Sequence, residues 1–125
     1  MMERYRITIS NAQHNLIIMT VDGLADDYSV MRYGLASCLM DNGYYYYTSH
    51  ENRYKSALWF DEYDVDLGRA VDPPQFNYWQ HGVYMRRFEN GMVLVNPKGN
   101  GTRTVQVGDG YRRINGKQDP TVNNG

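Results

Sequence analysis

The chain has 125 residues, of which 42% are hydrophobic and 22% charged. This length suits a single domain over residues 1–125 with a modest core, and the composition argues against disorder. The formal net charge of −1 leaves no basic surplus to neutralise phosphates, so nucleic acid is a poor partner. The longest apolar run, residues 16–19, is far too short to span a bilayer, and no signal segment opens the chain. The sequence therefore predicts a cytoplasmic location without a membrane partner.

The first 50 residues carry the pattern of two strands joined by a helix. Residues 15–21 show no alternation of polar and apolar side chains and are rich in β-branched ones, a pattern typical of a strand buried on both faces. Residues 44–48 form the next predicted strand. Residues 4–9 fit either a strand or the frayed end of a longer element. The pattern predicts a βαβ-like unit over residues 1–50.

The predicted helix runs from about Ser29 to Met40. Either Asp27 or Ser29 is suited to cap its first turn, because a short side-chain oxygen accepts the free backbone amides there. Asn42-Gly43 is expected to stop the helix, since glycine readily takes the left-handed C-terminal position. One stripe at helical spacing is expected to face the core: Met31, Leu35, Cys38 and Leu39.

The rest of the chain predicts loops and antiparallel strands. Residues 51–81 form an acidic and aromatic loop segment, broken at Asp72-Pro73-Pro74. Asn90-Gly91 between apolar runs predicts a hairpin, because both residues tolerate positive φ. A β-meander over 82–114 is expected, with strands at 82–88, 92–96, 102–107 and 111–114. Residues 115–125 are expected to be a flexible tail in solvent. The fold class is therefore α+β: one βαβ unit followed by an antiparallel β-meander.

The densest group of candidate functional residues lies between Trp59 and Asp66. If this segment is extended, alternation sends Glu62, Asp64 and Asp66 to one face and Asp61 to the other. Glycoside hydrolysis uses two carboxylates, roughly 5 Å or roughly 6.5–9.5 Å apart according to the stereochemical outcome. The candidate catalytic residues are therefore Asp61, Glu62 and Asp64. The plainer alternative is a solvated acidic edge that discourages aggregation.

Aromatic residues supply candidate substrate-binding positions. Tyrosine accounts for 12 residues, and its flat apolar ring with a hydroxyl suits half-wet surfaces such as sugar sites, although tyrosine also simply favours strands. Trp59 and Tyr63 beside the acidic residues, Trp79, and the Tyr44–Tyr47 run that contains Tyr46 are candidate stacking positions.

Charged and metal-binding residue types give weaker signals. Arg86 and Arg87 point to opposite faces of a predicted strand, where one is placed to clamp a carboxylate or to form an exposed cross-strand pair. The three histidines, His14, His50 and His81, have no metal-ligand spacing, and no phosphate-binding glycine loop is present. The sequence predicts no metal and no cofactor.

Three stretches together resemble a known family: residues 31–45, residues 59–68 and, most specifically, residues 82–97 with the motif F-x-N-G-x-V-L-V-N-P. They resemble the C-terminal end of hypothetical glycoside-hydrolase-like (β/α)8-barrel proteins, over roughly residues 15–123. The resemblance implies that the last barrel units lead into a small β-domain. It also implies that residues 20–22 and 48–50 lie at a pocket rim, which makes His50 a candidate substrate-binding residue.

The resemblance also has a consequence for assembly. A complete barrel takes about 250 residues, so a chain of this length is expected to be a fragment of one. Strand edges that barrel neighbours normally cover would then invite pairing between copies, which predicts a homo-oligomer. The predicted function is a carbohydrate-active protein related to glycoside hydrolases, which hydrolyses or binds glycosides. The alternatives are a non-catalytic carbohydrate-binding β-module, using Trp59, Trp79 and the tyrosine run, and an inactive barrel fragment.

Overall fold

A computed structural model describes residue 7, residues 18–51 and residues 55–125. The chain divides into two compact units, Met1–Ala57 and Leu58–Gly125. Elements of both types are present, which confirms the α+β class. Within the described ranges, no helix is long and apolar enough to cross a membrane. The single domain expected from the length of the chain remains a prediction.

The first unit contains a parallel pair of strands joined by a helix. Strand β1 spans Ile18–Gly23, helix α1 spans Tyr28–Leu39 and strand β2 spans Tyr44–Ser49. The strands pair in parallel from Ile18 opposite Tyr44 to Gly23 opposite Ser49. The βαβ prediction is confirmed in these elements. Residues 15–17 of the predicted first strand, and residues 4–9 except Ile7, lie outside the described residues.

Helix α1 begins and packs for identifiable reasons. The Asp27 side chain is its N-cap and accepts a hydrogen bond from the backbone amide of Val30 at 3.1 Å. Met31 and Cys38 are buried as predicted, whereas Leu35 and Leu39 are only half-buried because Gly34 and Ser37 form the buried side instead. A Cβ on Gly34 would lie 2.6 Å from the Tyr45 hydroxyl oxygen and 2.8 Å from a Val21 methyl carbon. The missing side chain therefore lets the helix approach the strands closely.

The second unit is organised around one hairpin. Strand β3 spans Tyr84–Phe88 and strand β4 spans Gly91–Val95, and they pair antiparallel with Phe88 opposite Gly91. The hairpin prediction is confirmed, but its expected backbone geometry is wrong. Neither Asn90 nor Gly91 has a positive φ, and among described residues other than glycine only His81 does, at 49°. The connecting residues are Glu89 and Asn90, so Gly91 already belongs to the strand.

Another segment runs beside β3 without forming a regular strand. The Val71 amide donates to the Arg87 carbonyl at 3.0 Å, and the Glu89 amide donates to the Arg69 carbonyl at 3.0 Å. The Glu89 carboxylate in turn accepts from the Arg69 amide at 2.8 Å. The edge of β3 that faces away from β4 is therefore covered by residues that precede the hairpin in the chain.

The last two strands of the predicted meander do not form. Residues 102–107 and 111–114 contain no strand. The 102–107 segment is held by a side chain instead: the Gln80 amide oxygen accepts from the Gln106 backbone amide at 3.1 Å, and the Gln80 amide nitrogen donates to the Gln106 carbonyl at 3.4 Å. Backbone groups that the alternating pattern assigned to a neighbouring strand thus bond to a glutamine.

The C-terminal residues do not trail in solvent as the sequence suggested. Asn123 is 2% exposed, and the Gly116 amide donates to the Asn123 carbonyl at 3.1 Å. The Gly125 amide donates to the Ile114 carbonyl at 3.2 Å. An apolar face is missing from residues 115–125, but their polar groups bond within the second unit. We call this segment the C-terminal clasp.

Candidate functional site

The acidic segment is a turn, not an extended strand. Asp61–Asp64 form a single 3₁₀ turn, in which the Tyr63 amide donates to the Phe60 carbonyl at 2.9 Å. Phe60 is 1% exposed and anchors the turn, with the Tyr63 ring packed edge-on at 5.4 Å between centroids. The predicted alternation of carboxylates between two faces is therefore wrong, because alternation needs extended backbone.

Asp61 is the main attachment point of the C-terminal clasp. One oxygen of its carboxylate, Oδ2, accepts hydrogen bonds from the backbone amides of Lys117 at 2.6 Å and Gln118 at 2.7 Å. The Gln118 side chain returns a contact, since its Oε1 accepts from the Asp61 amide at 2.8 Å. A Cβ on Gly116 would lie 2.5 Å from Asp61 Oδ2, so glycine is needed for this approach. Asp61 thus has a structural task.

The other two candidate carboxylates also make defined contacts. Glu62 Oε1 accepts a hydrogen bond from the side-chain amide of the buried Asn123 at 2.9 Å. Asp64 Oδ1 accepts from the indole nitrogen of Trp59 at 3.0 Å. The three predicted catalytic residues therefore lie in one turn, and each carboxylate accepts a hydrogen bond from a different part of the second unit.

Trp59 presents a fixed aromatic surface. Its side chain is 63% exposed, although the indole nitrogen is bonded to Asp64. The Tyr63 ring meets the indole edge-on at 90°, with 5.6 Å between ring centroids. The Trp59 carbonyl accepts from the Gln118 side chain at 2.9 Å, so the main chain is held as well. We call Trp59, Tyr63 and Asp64 the Trp59 platform.

Trp79 and Arg86 have other surroundings in the same unit. Trp79 is half-buried, and its amide donates to the Val83 carbonyl at 2.8 Å. Arg86 is 2% exposed, its Nε donates to the Asp72 carbonyl at 3.1 Å, and its guanidinium lies over the Phe88 ring at 5.5 Å. A substrate contact by the guanidinium needs access from outside, so this burial argues for a packing role for Arg86.

The clamp expected of one arginine is made by Arg87. Its guanidinium contacts both oxygens of Asp72, with the Nη2–Oδ1 distance at 2.7 Å and the Nε–Oδ2 distance at 3.0 Å. Side-chain hydrogen bonding from Arg87 lowers the pKa of the Asp72 carboxyl. The carboxylate comes from the Asp72-Pro73-Pro74 loop and not from the acidic segment. This pair ties the loop to strand β3.

Tyr46 and His50 belong to the first unit. Tyr46 is half-buried on β2, and His50 follows the last residue of that strand. The Tyr44–Tyr47 run is not a continuous stacking surface, because Tyr44 is 61% exposed whereas Tyr47 is 1% exposed and its hydroxyl donates to the Leu24 carbonyl at 2.8 Å. Strand alternation sends neighbouring rings to opposite faces.

Two residues that the sequence analysis missed, and one that the resemblance placed only within the rim segment 20–22, contribute to these arrangements. Gln118 and Asn123 sit in a segment without periodicity, and the residues they contact are about sixty positions earlier in the chain. Asp22 lies at the end of β1, where its Oδ2 is 3.0 Å from Nδ1 of His50. Only Asp22 carried a usable signal, its place next to a predicted parallel strand end. Among the described residues, no group of three acidic, histidine or cysteine side chains is suited to hold a metal ion.

The comparison with protein families gives a match over most of the chain. Residues 2–92 match the model of hypothetical glycosyl hydrolase family 15. The chain belongs to this family. The matched range includes the Trp59 platform, Asp22 and His50, whereas the C-terminal clasp lies beyond it. No curated protein and no solved structure matches the chain. Membership confirms the relation to glycoside hydrolases that the sequence motifs suggested.

Proposed function

We propose that this chain is a carbohydrate-active protein that binds glycosides on the Trp59 platform. The observation that carries the proposal is a tryptophan 63% exposed to solvent whose indole nitrogen is nevertheless held by a carboxylate. An indole combines a broad apolar face with one polar group, which suits contact with a ligand that has both apolar and polar surface. The ligand class follows from membership of a hypothetical glycosyl hydrolase family.

Preorganisation supports binding at this position. Trp59 is constrained at three places: its indole nitrogen by Asp64, its ring by the T-shaped contact with Tyr63 and its main chain by Gln118. A side chain that is already ordered loses less conformational entropy when a ligand arrives. Sugar rings offer flat C–H faces to an aromatic surface, and their hydroxyl groups suit the carboxylate beside it.

Hydrolysis is the second candidate, and the family name favours it. Glycosidases use one carboxyl as acid and another as base or nucleophile. Asp61 accepts hydrogen bonds from two backbone amides of the clasp, and Glu62 accepts one from the side-chain amide of Asn123. Both carboxylates therefore support the fold of the unit. Turnover by the acidic segment would need Glu62 or Asp64 to act on substrate while keeping these contacts. Binding makes no such demand, and we rank it first.

Binding is tested with four hexasaccharides: cellohexaose, xylohexaose, mannohexaose and maltohexaose. Titration calorimetry of the full chain is expected to give saturable binding of at least one. Trp59→Ala is expected to weaken that binding about tenfold or more, since burial of a large apolar side chain is worth about 1.5–3 kcal/mol. The matched control is Tyr111→Ala, which removes a ring 46% exposed elsewhere in the same unit and should leave the Kd unchanged. Equal affinities for Trp59→Ala and wild type would refute the proposal.

Turnover is measured separately on nitrophenyl glycosides with wild type, Glu62→Gln and Asp64→Asn. Wild-type activity that both variants lose would move the assignment from binding to hydrolysis. Descent of the first unit from the end of a (β/α)8 barrel also stays a prediction, supported by its parallel β1–α1–β2 arrangement. The predicted homo-oligomer is checked by light scattering.

A further inference from the structure

A carboxylate and an imidazole meet at the carboxyl ends of the two parallel strands. Asp22 is the penultimate residue of β1, and His50 directly follows β2. Asp22 Oδ2 lies 3.0 Å from His50 Nδ1. The main chain is also held, since the His50 amide donates to the Gly23 carbonyl at 3.3 Å. In sheets of parallel strands connected by helices, ligands are bound beyond this end of the strands.

The contact sets the chemistry of the imidazole ring. A carboxylate oxygen 3.0 Å from Nδ1 favours the proton of the neutral ring on that nitrogen and the lone pair on Nε2. Nε2 lies on the side of the ring away from Nδ1 and is left as an acceptor or base. The Asp22 side chain is 31% exposed and the His50 side chain 60%, so the acid is sheltered while the ring reaches solvent.

The surrounding charge is compatible with a neutral ligand. The hydroxyl of Tyr47 lies nearby on β2, and its pKa is raised by burial and then by the carboxylates of Asp27, Asp22 and Asp26. These three carboxylates lie close enough to act on Tyr47, so the local charge at this strand end disfavours an anionic ligand. A neutral polyhydroxylated ligand meets no such penalty, and its hydroxyl groups donate to acceptors such as Nε2.

We propose that Asp22 and His50 form a second glycoside-binding site, in the first unit, where Nε2 of His50 accepts a hydrogen bond from a sugar hydroxyl group and Asp22 orients the ring. The assignment of a glycoside rests on the proposed function, because the ligand class comes from there. The site itself rests on the Asp22–His50 contact and on its position at the strand ends.

The test follows the three histidine rings by nuclear magnetic resonance during titration with the same four hexasaccharides. The Nε2 signal of His50 is expected to shift saturably, whereas those of His14 and His81 stay unchanged. An unmoved His50 signal, while tryptophan fluorescence reports a saturation that Trp59→Ala abolishes, would overturn this inference and leave the proposed function standing. Absence of any response, at Trp59 as well as at His50, would defeat both.

Two substitutions separate binding from a merely structural ion pair. His50→Asn keeps a polar atom near the position of Nδ1, so its contact with Asp22 persists, but it has nothing at the position of Nε2. Its affinity at this site is followed by the backbone amide signals of Gly23 and Ser49, because the His50 ring is gone. It is expected to fall about three- to tenfold, the loss of one hydrogen bond. His50→Gln reaches the Nε2 position and should bind more tightly than His50→Asn. Wild-type affinity in His50→Asn would overturn the proposal.

Discussion

Different kinds of interaction stabilise the interior of each of the two units. Nine hydrophobic side chains are buried among the described residues, and the first unit contributes six of them: Met19, Val21, Met31, Cys38, Met40 and Tyr47. The second unit contributes only Phe60, Val83 and Val95. Burial of an apolar helix face against a parallel pair is therefore the main source of order in the first unit.

The second unit relies on polar side chains that bond to distant backbone. The Asn90 side chain donates to the Asp66 carbonyl, the Asn100 side chain to the His81 carbonyl, and Gln118 to the Trp59 carbonyl. Each contact joins segments at least 19 positions apart. A unit with few buried apolar groups can still be ordered when polar groups of its loops form hydrogen bonds with one another. Each such hydrogen bond contributes modestly to stability.

The largest expected effect tests the apolar core of the first unit. Met31→Ala removes a side chain that is 0% exposed, and we expect the free energy of unfolding to fall by about 2–5 kcal/mol. Urea denaturation followed by circular dichroism at 222 nm reports this unit, because helix α1 lies in it. Tryptophan fluorescence reports the second unit, since both tryptophans lie there.

The control for this substitution lies one residue earlier on the same helix. Val30 is 37% exposed, so Val30→Ala removes little buried apolar surface. The free energy of unfolding should change by less than about 1 kcal/mol. If both substitutions cost the same, the helix does not pack on the face described and the contrast between the units fails.

A smaller effect is expected from the polar attachment in the second unit. Asp61→Ala leaves the backbone amides of Lys117 and Gln118 without their acceptor, and we expect a loss of about 1–3 kcal/mol. The transition seen by tryptophan fluorescence should move to lower urea, with the circular dichroism transition unchanged. Asp109→Ala, at an exposed carboxylate of the same unit, is the control and should change neither transition. Equal shifts for both variants would show that the clasp adds no stability.

This contrast explains how much of the fold was predictable. Residues 18–23, 28–39 and 44–49 follow local patterns, namely a β-branched run and a capped amphipathic helix, and they form close to where those patterns place them. The left-handed stop expected at Asn42-Gly43 is wrong, since the helix ends at Leu39, the capping Met40 keeps right-handed backbone and Gly43 has no positive φ. The alternation at 102–107 looked equally regular. Alternation does not reveal whether a partner strand exists, and here the backbone of Gln106 bonds to the Gln80 side chain.

The candidate site was predictable in residue types but not in geometry. Trp59, Tyr63 and Asp64 were named from their chemistry, and they do lie together. Their arrangement depends on a 3₁₀ turn, whereas the prediction assumed extended backbone. The clasp had no signal, because the contact between Asp61 and Gln118 spans 57 positions of the chain and follows no periodicity.

The smallest expected effect concerns the Asp72–Arg87 pair, where the sign of a pH dependence is tested. Hydrogen bonds from Arg87 lower the pKa of Asp72 below its ordinary 3.8 in the folded state. The pair therefore stabilises the folded state fully above pH 3.8, and this contribution is lost as pH falls through the lowered pKa.

We expect Asp72→Asn to reduce stability slightly at pH 7, because the Arg87 side chain is 55% exposed and solvent screens the pair. In fluorescence-detected urea titrations, the difference between wild type and Asp72→Asn should be constant from pH 7 to pH 5 and should shrink below about pH 4. Asp109→Asn, whose carboxylate lies in an exposed turn, should give no such trend. A difference that grows on acidification would contradict the clamp, since a protonated Asp72 cannot accept the charged bond that the native state uses. If the expected trend is found, the polar interactions of the second unit differ from the apolar core of the first in strength and also in their response to acid. Buried methionine and valine side chains carry no titratable group, so their contribution does not change with pH.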